Sequence, residues 1–245
     1  MTAIDSASLS RRRLFDGMPA TTIISLLWLV MVVMIAIFAD AVAPAHYTTQ
    51  DLLARFRPPV FMGGTWAHAL GTDHLGRDVL SRIIYALRTS ILIAVLGTLI
   101  GAIGGTLMGL AAGRLRGIVD LFVMMLTDIQ TSMPSLFIAI AFLAFFGNSI
   151  PLFIVLVSLE GWERYARLAR GQVISEQSAD YVKAVEALGA GPGRVVFRHL
   201  LPNAMVATLT FLPFILSGSI ATLTSLDFLG FGMPPGSPSL GEMIA

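Results

Sequence analysis

Few side chains in this sequence combine a reactive type with a spacing that chemistry could use. The four histidines, His46, His68, His74 and His199, come no closer than six residues and form no metal-ligand pair. Neither HExxH nor HxxxH occurs, and without cysteine there is no thiolate site, cysteine nucleophile or disulfide. No GxxxxGK[ST] loop is present to cradle a nucleotide phosphate. The basic residues are too scattered for a nucleic-acid surface. The chain therefore reads as a non-enzyme, with no catalytic residues, metal site or cofactor expected.

Three patterns remain. Asp128 lies nine residues into an apolar run that begins at Val119, with Gln130 and Pro134 beyond it. A carboxylate at that depth must face protein, water or a partner group. A hydrogen bond to a neighbouring helix, a place on a translocation path and a proton relay all fit, and Pro134 is expected to bend the helix. Gly97, Gly101, Gly105, Gly109 and Gly113 recur every four residues. They share one helix face and let a second backbone approach closely, within the subunit or from another one.

The third pattern is Ser175–Asn203, a polar, basic stretch between apolar runs. Val182, Val185 and Leu188 predict a helix over Ser178–Leu188, stopped by Gly189 and followed by a turn at Gly191-Pro192-Gly193. A second amphipathic helix starts at Arg194 and ends where Leu201-Pro202-Asn203 opens the last apolar run, with Pro202 expected in that run's first turn. A push on the first helix would be passed into the last run.

The elements that must position these residues are membrane helices. Of 245 residues, 56% are hydrophobic and only 13% charged, and the mean hydropathy is +0.80; soluble domains carry about 25% charged residues. The start is not expected to be a cleavable leader, since the apolar run behind Arg11-Arg12-Arg13 is long enough to span a bilayer. The expected fold is an all-α polytopic bundle with five visible spans. They are Thr21–Ala39, Ser90–Ala112, Val119–Phe145, Ile150–Leu159 (extended by an amphipathic turn to Leu168) and Ala204–Leu226. The organisation is then a 1–20 cytoplasmic tail, a first transmembrane helix at 21–39, an extracytoplasmic cap at 40–88 and a core at 89–245. A cytoplasmic N-terminus places eleven basic residues inside and five (Arg55, Arg57, Arg77, Arg82, Arg88) outside. Ser175–Asn203 then faces the cytoplasm, and a sixth, last span is expected to be missing.

Three separated motifs make the chain resemble the permease subunits of ABC importers, in the dipeptide and oligopeptide branch. The cytoplasmic EAA-type loop is matched by Lys183-Ala184-Val185, Gly189 and His199-Leu200-Leu201-Pro202-Asn203, with Lys183 where the pattern has an acid. A G-T-D-x-L-G-R-D signature appears as Gly71–Asp78, followed by Ser81-Arg82 and Arg88-Thr89-Ser90. The tail Ser225–Gly232, with Pro234 and Ser239-Leu240-Gly241, is also family-like, especially like C-type subunits of the microcin C and oligopeptide kind. The resemblance implies a type I importer permease in a bacterial inner membrane that forms half of a peptide path with a second permease. It implies cytoplasmic ATP-binding subunits, gripped through Ala184, Glu186, Ala187, Gly189, Ala190, His199 and Pro202, and an extracytoplasmic solute-binding protein. A proton-coupled secondary transporter, resting on Asp128 and the glycine stripe, is the alternative, and a membrane scaffold without transport is a third.

Overall fold

The computed structural model describes residues 19–234 and 236–244, so Arg11–Arg13 and nearly all of the 1–20 tail lie outside it. The described chain is helical, with one isolated antiparallel bridge between Thr72 and Asp78. Helix α1, Ala20–Ile37, leads through a single turn, α2 (Ala39–Val42), into a cap of loops and three short 3-10 turns. Then follow α3 (Val79–Leu115), α4 (Gly117–Ser132), α5 (Ser135–Phe146), α6 (Ile150–Ser178) and α7 (Asp180–Ala187). The last helix, α8, runs from Pro192 to Phe231 with π-helical turns at Val196–Leu200 and Asp227–Phe231.

Several expected boundaries are corrected. The helix expected from Ser90 already starts at Val79, because Asp78 caps it by accepting from the Ser81 N–H at 2.8 Å. Its first turns are therefore part of what was read as a cap to residue 88. The expected third span is two helices, α4 and α5, that meet at 87°. Pro134 cannot continue the hydrogen-bond ladder and holds Met133 extended (φ −107°, ψ 132°). The expected fourth span runs ten residues beyond Leu168, to Ser178. Charge does not end it, because Arg167 and Arg170 find carboxylates on α4.

Pro202 stands, as expected, in the first turn of the α-helical stretch Leu201–Leu226, but that stretch continues from Pro192–Leu200 without a break. The π turn before it, closed by Leu201 N–H donating to the Val196 carbonyl, lets the helix continue past a residue with no donor of its own. Among the described residues three helices, α1, α3 and α8, are long and apolar enough to cross a membrane, and the bent pair α4–α5 makes four if counted as one span. Five is not reached on length and composition, since α6 is long enough but carries too many charges.

The most extensive contact is α3 against α6, and the glycine stripe lies in it. A Cβ on Gly101 would stand 2.6 Å from the Ser158 carbonyl oxygen, on Gly105 2.2 Å from that of Trp162 and on Gly109 2.1 Å from that of Ala166. On Gly97 and Gly113 it would meet the side chains of Val157 (2.5 Å) and Val173 (2.9 Å). Ile93, Phe153, Leu156, Val157, Leu223 and Leu226 join α3, α6 and α8 with Ala139 and Leu143 of α5 in one buried cluster.

The Gly71–Asp78 loop is built around Asp73. Its Oδ1 accepts from the N–H groups of Leu75 (2.8 Å) and Arg77 (2.9 Å), and its Oδ2 from Arg77 Nε (2.7 Å) and Arg82 Nη1 (2.6 Å). Arg82 then donates from Nη2 to both Glu242 oxygens at 2.7 Å. One carboxylate thus joins the loop, the start of α3 and the segment near residue 242. Burial by itself would raise the Asp73 carboxyl, but the hydrogen bonds from Arg77 and Leu75 outweigh it and hold it below the ordinary 3.8.

Two outcomes follow. Gly109→Ala should destabilise the detergent-purified protein by about 1–3 kcal/mol through overpacking. Gly104→Ala, with nothing within 4 Å of its added Cβ, should be neutral or stabilising by up to about 1 kcal/mol; thermal unfolding of the pair reads the difference. Asp73→Asn leaves two buried guanidiniums short of a charge and should cost about 3–5 kcal/mol. Because the folded Asp73 is lowered, its contribution is complete above 3.8 and disappears as pH falls through the lower folded value. Unfolding measured against pH should therefore show wild type and variant converging in that acidic window.

Candidate functional site

Helix α7 is eight residues long, too short to persist alone, and is held by its buried side. Val182, 1% exposed, packs with Ala169 and Val173 of α6 and with Val195, Leu200 and Ala204 of α8. Glu186 Oε1 accepts from Arg114 Nη2 at 3.1 Å, and Gln177 Nε2 donates to the Gly113 carbonyl at 3.0 Å, which ties the segment to the end of α3. The Tyr181 hydroxyl donates to Glu176 Oε2 and accepts from Asn203 Nδ2 at 3.1 Å, with the His199 ring 6.2 Å away. That bond to the Glu176 carboxylate raises the Tyr181 phenol above its ordinary value. Lys183 Nζ lies 3.6 Å from Asp180 on the open side.

After α7 the chain reverses at Gly189, whose φ of +86° belongs to the left-handed region. The Gly189 N–H donates to the Glu186 carbonyl (2.9 Å) and the Ala190 N–H to that of Val185 (3.2 Å), so the helix end is satisfied. Pro192 then opens α8, where a missing donor costs nothing. Of the residues singled out from sequence, Ala184, Glu186, Ala187, Gly189 and Pro202 are exposed, while Ala190 and His199 are half-buried. Leu188 departs from expectation. It leaves the helical register (φ −77°, ψ 4°) and stands 88% exposed instead of joining Val182 on the buried face.

Asp128 does not face a closed interior: its side chain is 73% exposed and accepts from Arg167 Nη2 at 3.1 Å. The same guanidinium donates to the Thr127 carbonyl (3.1 Å) and Thr131 Oγ1 (2.8 Å). One turn further along α6, Arg170 grips Asp120 with two bonds of 2.5 and 2.7 Å. This α4–α6 ladder was not read from sequence. Its signal was there: arginines three apart on α6 and aspartates eight apart on α4 each repeat along one helix face. The five stripe glycines face α6 and so lie at a contact within the chain.

Residues 105–245 match the family described as binding-protein-dependent transport system inner membrane component. The chain is 49% identical over 176 residues to the peptidoglycan transport system permease protein YejE of Agrobacterium fabrum, covering 72% of this chain and 46% of that protein. It is 45% identical over 175 residues to the inner membrane ABC transporter permease protein YejE of Escherichia coli, covering 71% and 51%. To the dipeptide transport system permease protein DppC of Escherichia coli it is 41% identical over 224 residues, covering 91% and 75%. The chain thus spans about half the length of the two YejE relatives. With a match over more than half of its residues and a helical membrane bundle to carry it, this chain belongs to the family of inner membrane components of binding-protein-dependent transport systems.

Proposed function

We propose that the protein is a permease subunit of an ATP-driven peptide importer in a bacterial inner membrane. In this reading it crosses the bilayer five times, by α1, α3, the bent pair α4–α5, α6 and α8, from a cytoplasmic N-terminus. It forms half of the translocation path with a second permease and receives peptide from an extracytoplasmic solute-binding protein. ATP-binding subunits grip it through Ser175–Asn203. The names of the relatives, one for dipeptide and one for peptidoglycan transport, support a peptide-like substrate. The observation that carries the reading is α7. It is a short helix anchored by Val182 to α6 and α8 and by Glu186 to α3, with the opposite edge left open. A displacement of that edge moves the ends of three helices together. Membership of a binding-protein-dependent family argues against the proton-coupled carrier, and Asp128, largely exposed and paired with Arg167, has a structural partner instead.

Gly189 sets a sharp test. A Cβ there meets nothing within 4 Å, so any cost of substitution comes from the positive φ and not from a clash. Gly189→Asn, which tolerates that conformation, should keep most peptide uptake by the reconstituted importer. Gly189→Val should lose about tenfold or more while ATP hydrolysis continues and the protein stays in the membrane, the tenfold corresponding to about 1.4 kcal/mol of strain on the coupled state. Full uptake by the valine variant would rule out coupling through this turn. Leu188 is a second test of the same surface. Leu188→Asp should leave thermal stability unchanged, since the side chain is 88% exposed, yet lower the amount of ATPase that co-purifies with the permease.

A further inference from the structure

The bend between α4 and α5 opens a polar cavity against α6. Gln130 and Ser135 line it from the bend, Glu160 and Glu163 from α6, and Arg164 and Arg167 stand at its edge. Glu163 is the fourteenth residue of α6, about 20 Å along its axis, and thus at membrane depth in the proposed topology. Its side chain is only 8% exposed. Oε1 lies 3.5 Å from Arg164 Nε, but Oε2 is buried with no hydrogen-bond partner.

The neighbours do not resolve this. Arg164 keeps more than half of its side chain exposed, and Arg167 directs Nε and Nη2 to Thr127, Asp128 and Thr131, not to Glu163. Glu160, three residues earlier and so on the same helix face, accepts from Thr222 Oγ1 at 2.6 Å. A buried carboxylate oxygen left without a donor is costly, and in a cavity it selects an occupant that brings both positive charge and N–H donors. A bare metal ion fits poorly, since among the described residues no three His, Asp or Glu side chains gather. An ammonium group brings three donors and one charge.

We propose that this cavity binds a primary ammonium group of the transported molecule between Glu160 and Glu163, either a peptide amino terminus or a lysine side chain. The proposal rests on the peptide-importer reading and deepens it.

The test is carbodiimide labelling of Glu163 in membranes that hold the whole importer, read by mass spectrometry, with Ala-Ala, N-acetyl-Ala-Ala and N-acetyl-Ala-Lys as probes. Labelling of Glu163 should proceed without peptide. A bound ammonium should slow it in proportion to occupancy, by roughly tenfold at ten times the probe's Kd. Ala-Ala should protect and N-acetyl-Ala-Ala should not. Protection by N-acetyl-Ala-Lys assigns the lysine side chain as a second source. Equal protection by all three, or none by any, overturns the proposal. So does an unreactive Glu163 in the absence of peptide, because a cation supplied by the protein itself would then fill the site. Glu163→Gln, nearly isosteric, should fold with thermal stability no lower than the wild type and raise the KM for Ala-Ala uptake; an unchanged KM also overturns it. Protection by Ala-Ala in a wild-type complex that imports no peptide would sink the importer reading and keep the site. Uptake without protection would do the reverse.

Discussion

The structure depends on how closely the backbones of α3 and α6 approach. In a bilayer the lipid tails are as apolar as leucine, so helices gain little from burying apolar side chains against each other. Attraction must come from dense contact, and five glycines on one face of α3 make it available. At Gly101, Gly105 and Gly109 the neighbour is the α6 backbone itself, at distances that leave no room for a methyl group. Everything else is placed relative to this seam. Tyr165 is buried against Ala102 and Ile215, which sets α8 against the pair. The charged half of α6 is turned away from α3 and toward α4.

Charges follow a second rule, that a buried ion is kept only with partners. In the cap, Asp73 serves two guanidiniums and two backbone donors, and Arg82 carries the chain of bonds on to Glu242. On α6, Arg167 and Arg170 are each matched by an aspartate on α4. These ladders let a helix as polar as α6 lie within a membrane bundle. Glu163 meets the rule only by half: Oε1 has Arg164 at 3.5 Å, while Oε2 is buried without a donor and, unlike the other buried orphan, the Tyr165 hydroxyl, belongs to an ionisable carboxyl lining a polar cavity.

Much of this was legible in the residue pattern, for reasons that differ by element. The glycine spacing announced a close helix contact because a period of four has one geometric meaning on a helix, but it could not say which helix would fill the face. Gly189 and Pro192 marked the turn because their backbone preferences are local. Helix ends were harder to place. The length of α6 depended on Asp120 and Asp128, fifty and thirty-nine residues from the arginines they pair with, and no window along the chain contains both partners. Pro202 marked the first turn of Leu201–Leu226 because its lack of a donor is a local property, but the π turn that joins this stretch to the helix upstream has no such signature. Leu188 has the right spacing for the buried face, but the helix ends one residue before it.

The π turn at Val196–Leu200 bears on how a push at α7 would reach α8. A helix with an unbroken i to i−4 ladder transmits displacement as a rod, and a π segment relaxes that ladder locally. Here the relaxed turn does not stand free. Leu200 is buried in the same cluster as Val182, and Asn203, one residue past Pro202, is bonded to Tyr181. The contact with α7 therefore spans the weak turn and holds residues on both of its sides, Val195 before it and Ala204 after it. Gly189, with open space around it, remains the place where the backbone can bend without moving a packed side chain. A force on α7 would then turn the packed ends of α6 and α8 as one body, with its compliance confined to the connection at Gly189, and this is the arrangement that mechanical coupling requires.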